Sequence, residues 1–470
     1  MRGQNGPKVR RSAASSAGIS NVRPSVNAGG MHAEPTGPVI SRRGLLIGAA
    51  AIAGIAAIGG GAAAVQSSQQ AASSAPNVLS VPTGAVTSSE SIEVVDDFAS
   101  LMSLKGSYDL PYGTLVWAND DSYAACLLPT DNANPLTQVG LLSLGSGNVE
   151  TVLSQATGAS EGFQIFDARA TSSGVVWVEQ NILDGVWRIY SARLSGRAGS
   201  SSGASSSGTG STASAAQTSS GISSPTLVEE GNVSDWDTPS ITAAGGSLFW
   251  QMLPALNGPH ASDPSTLRRA SFGSSDAEDV LSSNGRMATP VYGAEDCVVA
   301  TPRSPESRTN YQLTCVDADS GNVRDTLTLP SGMKPLEAGY GNTGFSFAFD
   351  AAYSFGDGIA NLGTYTPMSN VANGNYSSAS WLWFARSPVT SPAWCGRYFM
   401  VKTATAVSGI DFEAGKRFAF DVASGADSYG EFLASSGSRD TVVTYTNINS
   451  TPISGDATKT CRVRVWSPAS

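Results

Sequence analysis

Histidine is nearly absent from this sequence, and its scarcity excludes most familiar catalytic and metal-binding arrangements. The 470 residues contain two histidines, His32 and His260. A Ser-His-Asp triad needs a histidine beside its nucleophile, and zinc sites of the His or Cys type need several such ligands. His260 lies in a proline-rich loop without a nucleophile-elbow sequence. Because P-loop and dinucleotide-binding fingerprints are also missing, the sequence predicts neither a cofactor nor a metal site.

Cysteine is sparse as well, and its spacing excludes a dense disulfide scaffold. The five cysteines are odd in number, far apart, and form no CxxC motif. Cys297 and Cys315 lie on consecutive predicted strands, where a hairpin would bring them almost opposite each other. Outside the cytoplasm such a pair can oxidise to a disulfide, and the alternative is two buried thiols.

Charged residues are few and unevenly distributed. They make up 14% of the chain, against a usual value of about 25%, whereas glycine is abundant at 51 residues. This balance favours short strands and tight turns over charged amphipathic helices. Residues 1–43 contain seven basic residues and one acidic residue, which leaves 21 basic and 37 acidic residues beyond them. An acidic body of this kind argues against nucleic acid as a partner.

The one long apolar run lies near the N-terminus. Residues 44–65 comprise 6 Gly, 9 Ala and 7 Leu, Ile or Val, without a charge. Such a length matches a helix that crosses a hydrocarbon core of about 30 Å. All basic residues of the 1–43 segment precede it, so the positive-inside rule places a disordered N-terminal tail in the cytoplasm and the body outside.

The residues just before this run resemble a twin-arginine export signal. The motif consists of an arginine pair followed by two hydrophobic residues, namely Ser41, Arg42, Arg43, Leu45 and Leu46. The resemblance implies passage of a folded protein across a bacterial membrane by the twin-arginine export machinery. We expect a retained anchor in the cell membrane through residues 44–65. The alternative is a secreted protein, cleaved near Ala64, where small residues suit a signal peptidase.

Beyond the apolar run, residues 66–89 form a flexible Ser/Ala/Gln/Pro tether. Residues 90–470 then contain a β-type run that recurs seven times, at intervals of 44 to 72 residues. A Ser/Gly-rich loop at 195–224 lengthens the longest interval. Each run directly follows a turn residue, these being Gly113, Gly174, Gly246, Asp296, Gly344, Gly396 and Asp440.

Hairpins repeated at this period are typical of propeller blades. The sequence therefore predicts an all-β fold, a seven-bladed β-propeller preceded by one N-terminal hydrophobic helix. Six blades or stacked β-sandwiches are the alternatives. The last run, 461–466, has no outer strand after it, and the strand predicted at 91–98 is expected to pair with it and close the ring. In repeat architecture alone, the body resembles extracytoplasmic propellers of the WD-repeat and TolB type.

Ligands of propellers usually contact the innermost strands, which precede each turn residue. Several acidic and aromatic side chains occur in those segments, and they suit sugar binding or carboxylate-based glycoside cleavage. The alternative is that they cap turns and pack between sheets. The candidates are Asp167, Arg169, Asp235, Trp236, Asp237 and Trp394.

The sequence predicts a membrane-anchored or secreted extracytoplasmic binding module for an unknown protein or glycan. The alternative is a carboxylate-dependent glycan-active enzyme that uses the same channel.

Overall fold

The structure is a computed structural model. It describes residues 86–88, 92–129, 136–195, 221–342, 344–350, 362–365, 381–384, 390–450 and 458–469. The export motif and the apolar run at 44–65 lie outside these residues. Within them, helices are limited to short 3₁₀ turns, and none has the length and apolar character needed to span a bilayer.

The described residues form seven β-sheets that follow one another along the chain. Three strands precede the first sheet and join later ones: β1 (Val86–Ser88), β2 (Glu93–Val94) and β3 (Met102–Pro111). Sheet 1 contains β4 (Leu115–Trp117), β5 (Tyr123–Pro129), β6 (Leu136–Ser143) and β7 (Val149–Leu153). Sheet 2 contains β8 (Gln164–Thr171), β9 (Gly174–Asn181), β10 (Val186–Arg193) and β11 (Thr226–Asn232). Sheet 3 contains β12 (Ile241–Ala244), β13 (Ser247–Met252), β14 (Ser265–Ser271) and β15 (Glu278–Ser283).

The remaining sheets repeat this antiparallel order, with a few added strands. Sheet 4 contains β16 (Tyr292–Ala294), β17 (Cys297–Ala300), β18 (Arg303–Ser304), β19 (Ser307–Asp317) and β20 (Val323–Thr328). Sheet 5 contains β21 (Pro335–Gly341), β22 (Gly344–Asp350), β23 (Leu362–Tyr365) and β24 (Trp381–Phe384), with β1 at its edge. Sheet 6 contains β25 (Ala393–Cys395), β26 (Tyr398–Lys402), β27 (Val407–Asp411) and β28 (Lys416–Ala419), with β2 at its edge. Sheet 7 contains β29 (Phe432–Leu433), β31 (Val442–Ser450), β32 (Thr458–Pro468) and β3, while β30 (Gly437–Arg439) pairs with β25.

The sheets are arranged in a closed ring. Each sheet contacts the next one in chain order, from β5 against β8 to β26 against β29. A parallel bridge between Ala118 and Ser435 then joins sheet 1 to sheet 7. Sheets arranged radially in this way around a central channel form a β-propeller. The predicted fold class is thereby confirmed at the level of an all-β propeller, in place of stacked sandwiches.

Burial explains why the recurring runs are continuously apolar instead of alternating. The second strands β13, β17 and β26 are buried along their whole length, because each sheet lies between two neighbouring sheets. The outer strands β7 and β15 keep exposed positions because one of their edges faces solvent.

As the sequence predicts, a strand from the N-terminal side of the propeller pairs with the last strand, but it is not the strand that was predicted. The prediction of residues 91–98 as the partner of the last strand is wrong. Instead β3 pairs antiparallel with β32, from Met102 opposite Pro468 to Pro111 opposite Thr460. Within the predicted segment, β2 pairs in parallel with β28 at the edge of sheet 6. Two residues are too few to close a sheet, whereas ten residues of β3 match the length of β32.

The sequence pattern also misassigns the first sheet. The run after Gly113 was predicted to match the other recurring runs, which are second strands in sheets 2 to 7. It is instead the inner strand β4, because Gly113, with φ of 90°, turns the chain from β3 into the first sheet. The second strand of sheet 1 is β5, which begins at Tyr123 after an acidic turn.

Cys297 and Cys315 lie on adjacent strands, offset by two residues. Val299 is the residue opposite Cys315, and Cys297 is opposite Asp317, so the two cysteines are diagonal neighbours. Both are buried free thiols. The neighbouring Cys297 thiol, together with burial, raises the pKa of Cys315. The predicted facing geometry is therefore wrong, and the disulfide stays a prediction.

Candidate functional site

A cavity of about 190 Å³ lies in the central channel. Its walls come from the inner segments of sheets 1, 2, 3, 4, 6 and 7, so residues far apart in sequence share one space. Propellers place their inner strands around one axis, which explains this convergence. We refer to the cavity as the channel pocket, and its principal lining residues are Trp117, Asn119, Phe166, Asp167, Arg169 and Tyr292.

An ion pair on β8 forms one wall of the pocket. Arg169 Nη1 donates to Asp167 Oδ1 and also to the Ala168 carbonyl oxygen, the latter over 2.7 Å. The two charged side chains are 18% and 15% exposed. Burial raises the pKa of Asp167 from its usual range, although Arg169 opposes the shift. The pair is therefore held in a poorly solvated site, where each charge depends on the other.

The local backbone explains how neighbouring residues of β8 face the same space. The pairing register between β8 and β9 shifts between Ile165 and Asp167, which makes Phe166 the extra residue of a bulge. A bulge interrupts the alternation of side chains between the two faces. Phe166 and Asp167 consequently both line the pocket. Arg169 lies two residues further on, with its guanidinium carbon 4.5 Å from the centroid of the Trp117 ring.

Asn119 connects opposite sides of the channel. Its Nδ2 donates to the Gly293 carbonyl oxygen over 2.6 Å and to Thr242 Oγ1 over 3.3 Å. The Gly293 oxygen also accepts a hydrogen bond from Ser436 Oγ over 2.7 Å. The Asn119 side chain is buried, and its Oδ1 has no hydrogen-bond partner among the described residues. Asn119, a lining residue of the pocket, therefore contains a buried acceptor atom without a partner in the described part of the chain.

Acidic side chains continue from the pocket toward one end of the channel. We call Asp120, Asp121 and Glu295 the acidic rim. Asp120 and Asp121 follow Asn119 directly, and the Glu295 amide donates to the Asn119 carbonyl oxygen over 3.0 Å. The buried guanidinium of Arg439 faces these charges and donates to the Ala118 carbonyl oxygen over 2.9 Å.

The acidic rim also links neighbouring sheets. Asp120 Oδ1 accepts hydrogen bonds from the amides of Ser122 and Tyr123, each over 2.9 Å, and Asp120 Oδ2 accepts one from Ser172 of sheet 2. Asp121 Oδ1 accepts from the Thr441 amide and hydroxyl of sheet 7. These two carboxylates therefore hold sheet 1 against both of its neighbours.

Glu295 has the most accessible carboxyl of the rim, and it titrates near neutrality. The residue occupies the left-handed region with φ of 45°, at the turn between β16 and β17. Partial burial of its carboxyl is the main cause that raises its pKa to about 7. The charge of Arg439 lowers this pKa, whereas Asp121 and Asp296 raise it. The charge of the rim therefore changes between pH 6 and 8.

The segment 235–237 lies outside the channel pocket. It precedes β12 and is held by a bridge between Trp236 and Pro254. The Trp236 ring stacks on His260, with centroids 5.0 Å apart. Asp237 Oδ2 accepts from Arg286 Nη2, and Asp235 Oδ1 accepts from Ser234 Oγ over 3.1 Å. The two carboxylates are thus engaged with other side chains and do not line the cavity.

Trp394 also lies away from the pocket. It is on the inner strand β25 but packs against Phe399 and Phe412, at centroid distances of 5.0 and 5.9 Å. Its ring lies so close to Gly341 that a Cβ there would approach Trp394 Cδ1 to 2.5 Å. This is the environment of a packing residue between sheets 5 and 6.

The structure therefore brings Asp167 and Arg169 together and separates them from the other four predicted residues. Trp117, Asn119 and Tyr292 also line the pocket, and none of them is among the residues predicted from the sequence. A usable signal was the turn Asn119 to Ser122, since Asn and Asp cluster in turns. Assigning that turn to the end of an inner strand would have placed Trp117 in the channel.

The described lining of the pocket combines one ion pair with aromatic and amide groups. Among the described lining residues, Asp167 supplies the single carboxylate, and it is paired with Arg169. Glycoside cleavage requires two carboxyl groups on either side of the scissile bond. Aromatic rings, an ion pair and an amide are instead suited to holding a small polar group.

No protein-family model matches the sequence, and the curated proteins contain no match. Solved structures similar to the chain include a prolyl endopeptidase, with 10% identity, coverage of 77% of this chain and 48% of that one, and a TM-score of 0.40. The β-propeller domain of the trilobed protease from Pyrococcus furiosus shares 8% identity over 64% of this chain and 83% of that one, with a TM-score of 0.36. The WD40 domain of SCAP from fission yeast shares 9% identity over 80% of this chain and 97% of that one, with a TM-score of 0.40. The chain spans about half the length of the prolyl endopeptidase.

Proposed function

We propose that this protein is a membrane-tethered, extracytoplasmic β-propeller of seven blades that binds a ligand in its channel pocket. Each of the seven sheets is one blade, and the ligand is a small group presented by a protein, a peptide or a glycan. The convergence of inner segments from six sheets on one cavity carries this proposal. Such pockets, with aromatic walls and a few polar groups, are typical of ligand sites.

The residues that precede the propeller in the chain support the proposed location outside the cytoplasm. The arginine pair Arg42 and Arg43, followed by 22 uncharged residues, suits export and anchoring. A fractionation experiment tests it. A C-terminal epitope tag on the full chain is expected in the membrane fraction and accessible to protease on intact spheroplasts. Replacement of both arginines by lysine should retain the tag inside the cell. A wild-type tag that is found in the cytosol would contradict the location.

The binding role is tested with the full chain in detergent micelles. We expect at least one member of a panel of short peptides, amines and monosaccharides to raise its melting temperature. The Trp117→Ala variant should lose that stabilisation, whereas Asp235→Asn, outside the pocket, should retain it. Turnover of a glycan that is abolished by Asp235→Asn or Asp237→Asn would instead favour the enzyme alternative.

A further inference from the structure

The channel pocket contains an acceptor that needs a donor. Asn119 is 3% exposed and lines the cavity, and its Oδ1 accepts no hydrogen bond from the described part of the chain. Two donor atoms nearby are already engaged: Asn119 Nδ2 with Gly293 and Thr242, and Arg169 Nη1 with Asp167 and a carbonyl oxygen. A buried acceptor that lacks a partner is costly. A ligand that donates a hydrogen bond to Asn119 Oδ1 would remove this cost.

The charges around the pocket favour a cation. The acidic rim continues directly from the lining residue Asn119, and Glu295 contacts it through its amide. The three carboxyl groups of the rim act on one guanidinium group, that of Arg439, and Asp167 is paired with Arg169, so the carboxyl groups outnumber the guanidinium groups by four to two. The excess of negative charge attracts positive ligands and repels anions.

The aromatic residues and the volume limit the ligand further. Trp117, Phe166 and Tyr292 all line the pocket. Aromatic rings bind ammonium groups through their negative faces, and the Arg169 guanidinium 4.5 Å from the Trp117 centroid is one such contact. A volume of about 190 Å³ is below the roughly 300–1,000 Å³ of pockets for drug-sized ligands. The pocket therefore matches one side chain or a short alkyl group, and it is too small for an oligosaccharide.

We propose that the channel pocket binds a primary alkylammonium group, which is carried by a lysine side chain of a partner or by a small free amine. This inference rests on the proposed binding function and names the ligand chemistry of the same site. The ammonium donates to Asn119 Oδ1, its charge is stabilised by the acidic rim, and its alkyl stem packs on the aromatic residues.

Calorimetric titration of the full chain in detergent micelles tests the proposal. The probes are n-butylamine, n-butanol, butyrate and glucose. We expect n-butylamine to bind at least about tenfold more tightly than n-butanol, because the alcohol lacks the charge. Two tripeptide amides distinguish the sources: N-acetyl-Gly-Lys-Gly and its Nε-acetylated form. Tighter binding of the lysine peptide than of n-butylamine indicates a protein partner, and the reverse indicates a free amine.

Variants locate the binding site. Trp117→Ala should weaken n-butylamine binding about tenfold, and Glu295→Gln should weaken it about threefold at pH 8. The control Glu413→Gln removes an exposed carboxylate in the turn between β27 and β28, outside the pocket lining, and should leave the affinity unchanged. Unchanged far-ultraviolet circular dichroism of each variant shows that folding is retained.

The outcomes separate this inference from the proposed function. Binding of glucose or butyrate that depends on Trp117, without binding of the amines, overturns the ammonium proposal and leaves the binding function standing. Failure of all six probes and of the wider panel overturns both. Amine binding that Trp117→Ala and Glu295→Gln leave unchanged also overturns the ammonium site, because the amine then binds elsewhere.

Discussion

Two acid–arginine ion pairs occupy different environments in this propeller. Asp167 and Arg169 lie on an inner strand, are largely buried and line the channel pocket. Asp237 and Arg286 form an equally direct ion pair, but Asp237 is 40% exposed and lies before its strand begins. The difference teaches that the position of a carboxylate, and not its residue type, decides whether it lines the pocket. Asp237 lies one residue before the lining residue Thr238 and is itself outside the lining.

The largest expected difference between the pairs is in stability. Arg169→Met leaves Asp167 as an unpaired charge in a poorly solvated site, and we expect a loss of about 3 kcal/mol at pH 8. Arg286→Met leaves a half-exposed Asp237, with an expected loss below about 1 kcal/mol. Urea unfolding of both variants measures the two values. Because protonation removes the unpaired charge of Asp167, the Arg169→Met loss should shrink at pH 5. Equal losses for the two variants would contradict the contrast in environment.

A smaller effect is expected for the cross-channel bond of Asn119. Asn119→Ala removes hydrogen bonds to Gly293 and Thr242, which are 174 and 123 residues away. We expect a loss of about 2 kcal/mol, because both partners are buried. Ser234→Ala, which removes the exposed hydroxyl bonded to Asp235, is the matched control and should change stability by less than about 0.5 kcal/mol. Similar melting temperatures for the two variants would show that the bridge across the channel contributes little.

The titration of Glu295 should produce a modest pH dependence of stability. Its pKa is raised in the folded protein to about 7 from 4.5, so the folded state binds more protons than the unfolded state between these values. Stability from this group is present below pH 4.5 and is lost as the pH rises through 7. After solvent screening, we expect this group to cost the wild-type protein about 1 kcal/mol of stability between pH 5 and pH 8. The Glu295→Gln variant should lack that loss. Melting curves at pH 5 and pH 8 measure it, and a pH dependence identical to wild type would count against the assignment.

The smallest effect is expected for the outer carboxylates in ligand binding. Asp235→Asn and Asp237→Asn should change the affinity for n-butylamine by less than about twofold, because neither residue lines the pocket. Asp167→Asn should weaken binding at least about threefold, because it leaves the positive charge of Arg169 uncompensated beside the ligand. Calorimetry on the three variants provides the comparison. If Asp235→Asn or Asp237→Asn weakened n-butylamine binding more than Asp167→Asn does, the binding site would lie outside the channel pocket.

The recurring runs predicted six second strands in the right places, because burial between neighbouring sheets makes those runs continuously apolar. The pattern failed at Gly113, where a turn between two sheets resembles a turn within a sheet. It also missed β3 as the closing strand, since its mixed polar and apolar residues carry no strong strand signal. Of the six predicted site residues, Asp167 and Arg169 line the pocket, whereas Trp394, which is also on an inner strand, packs between sheets 5 and 6.

By itself, the sequence determined the all-β class and the repeat of hairpins, since both depend on local patterns of apolar residues and turns. It also supplied the hydrophobic segment at 44–65 on which the proposed location rests. The tertiary structure decided which strand closes the ring and which side chains meet in the channel. Those features depend on contacts between residues more than a hundred positions apart, such as Asn119 with Gly293. Because strand direction, bulges and ring closure fix such contacts together, no local pattern could reveal them.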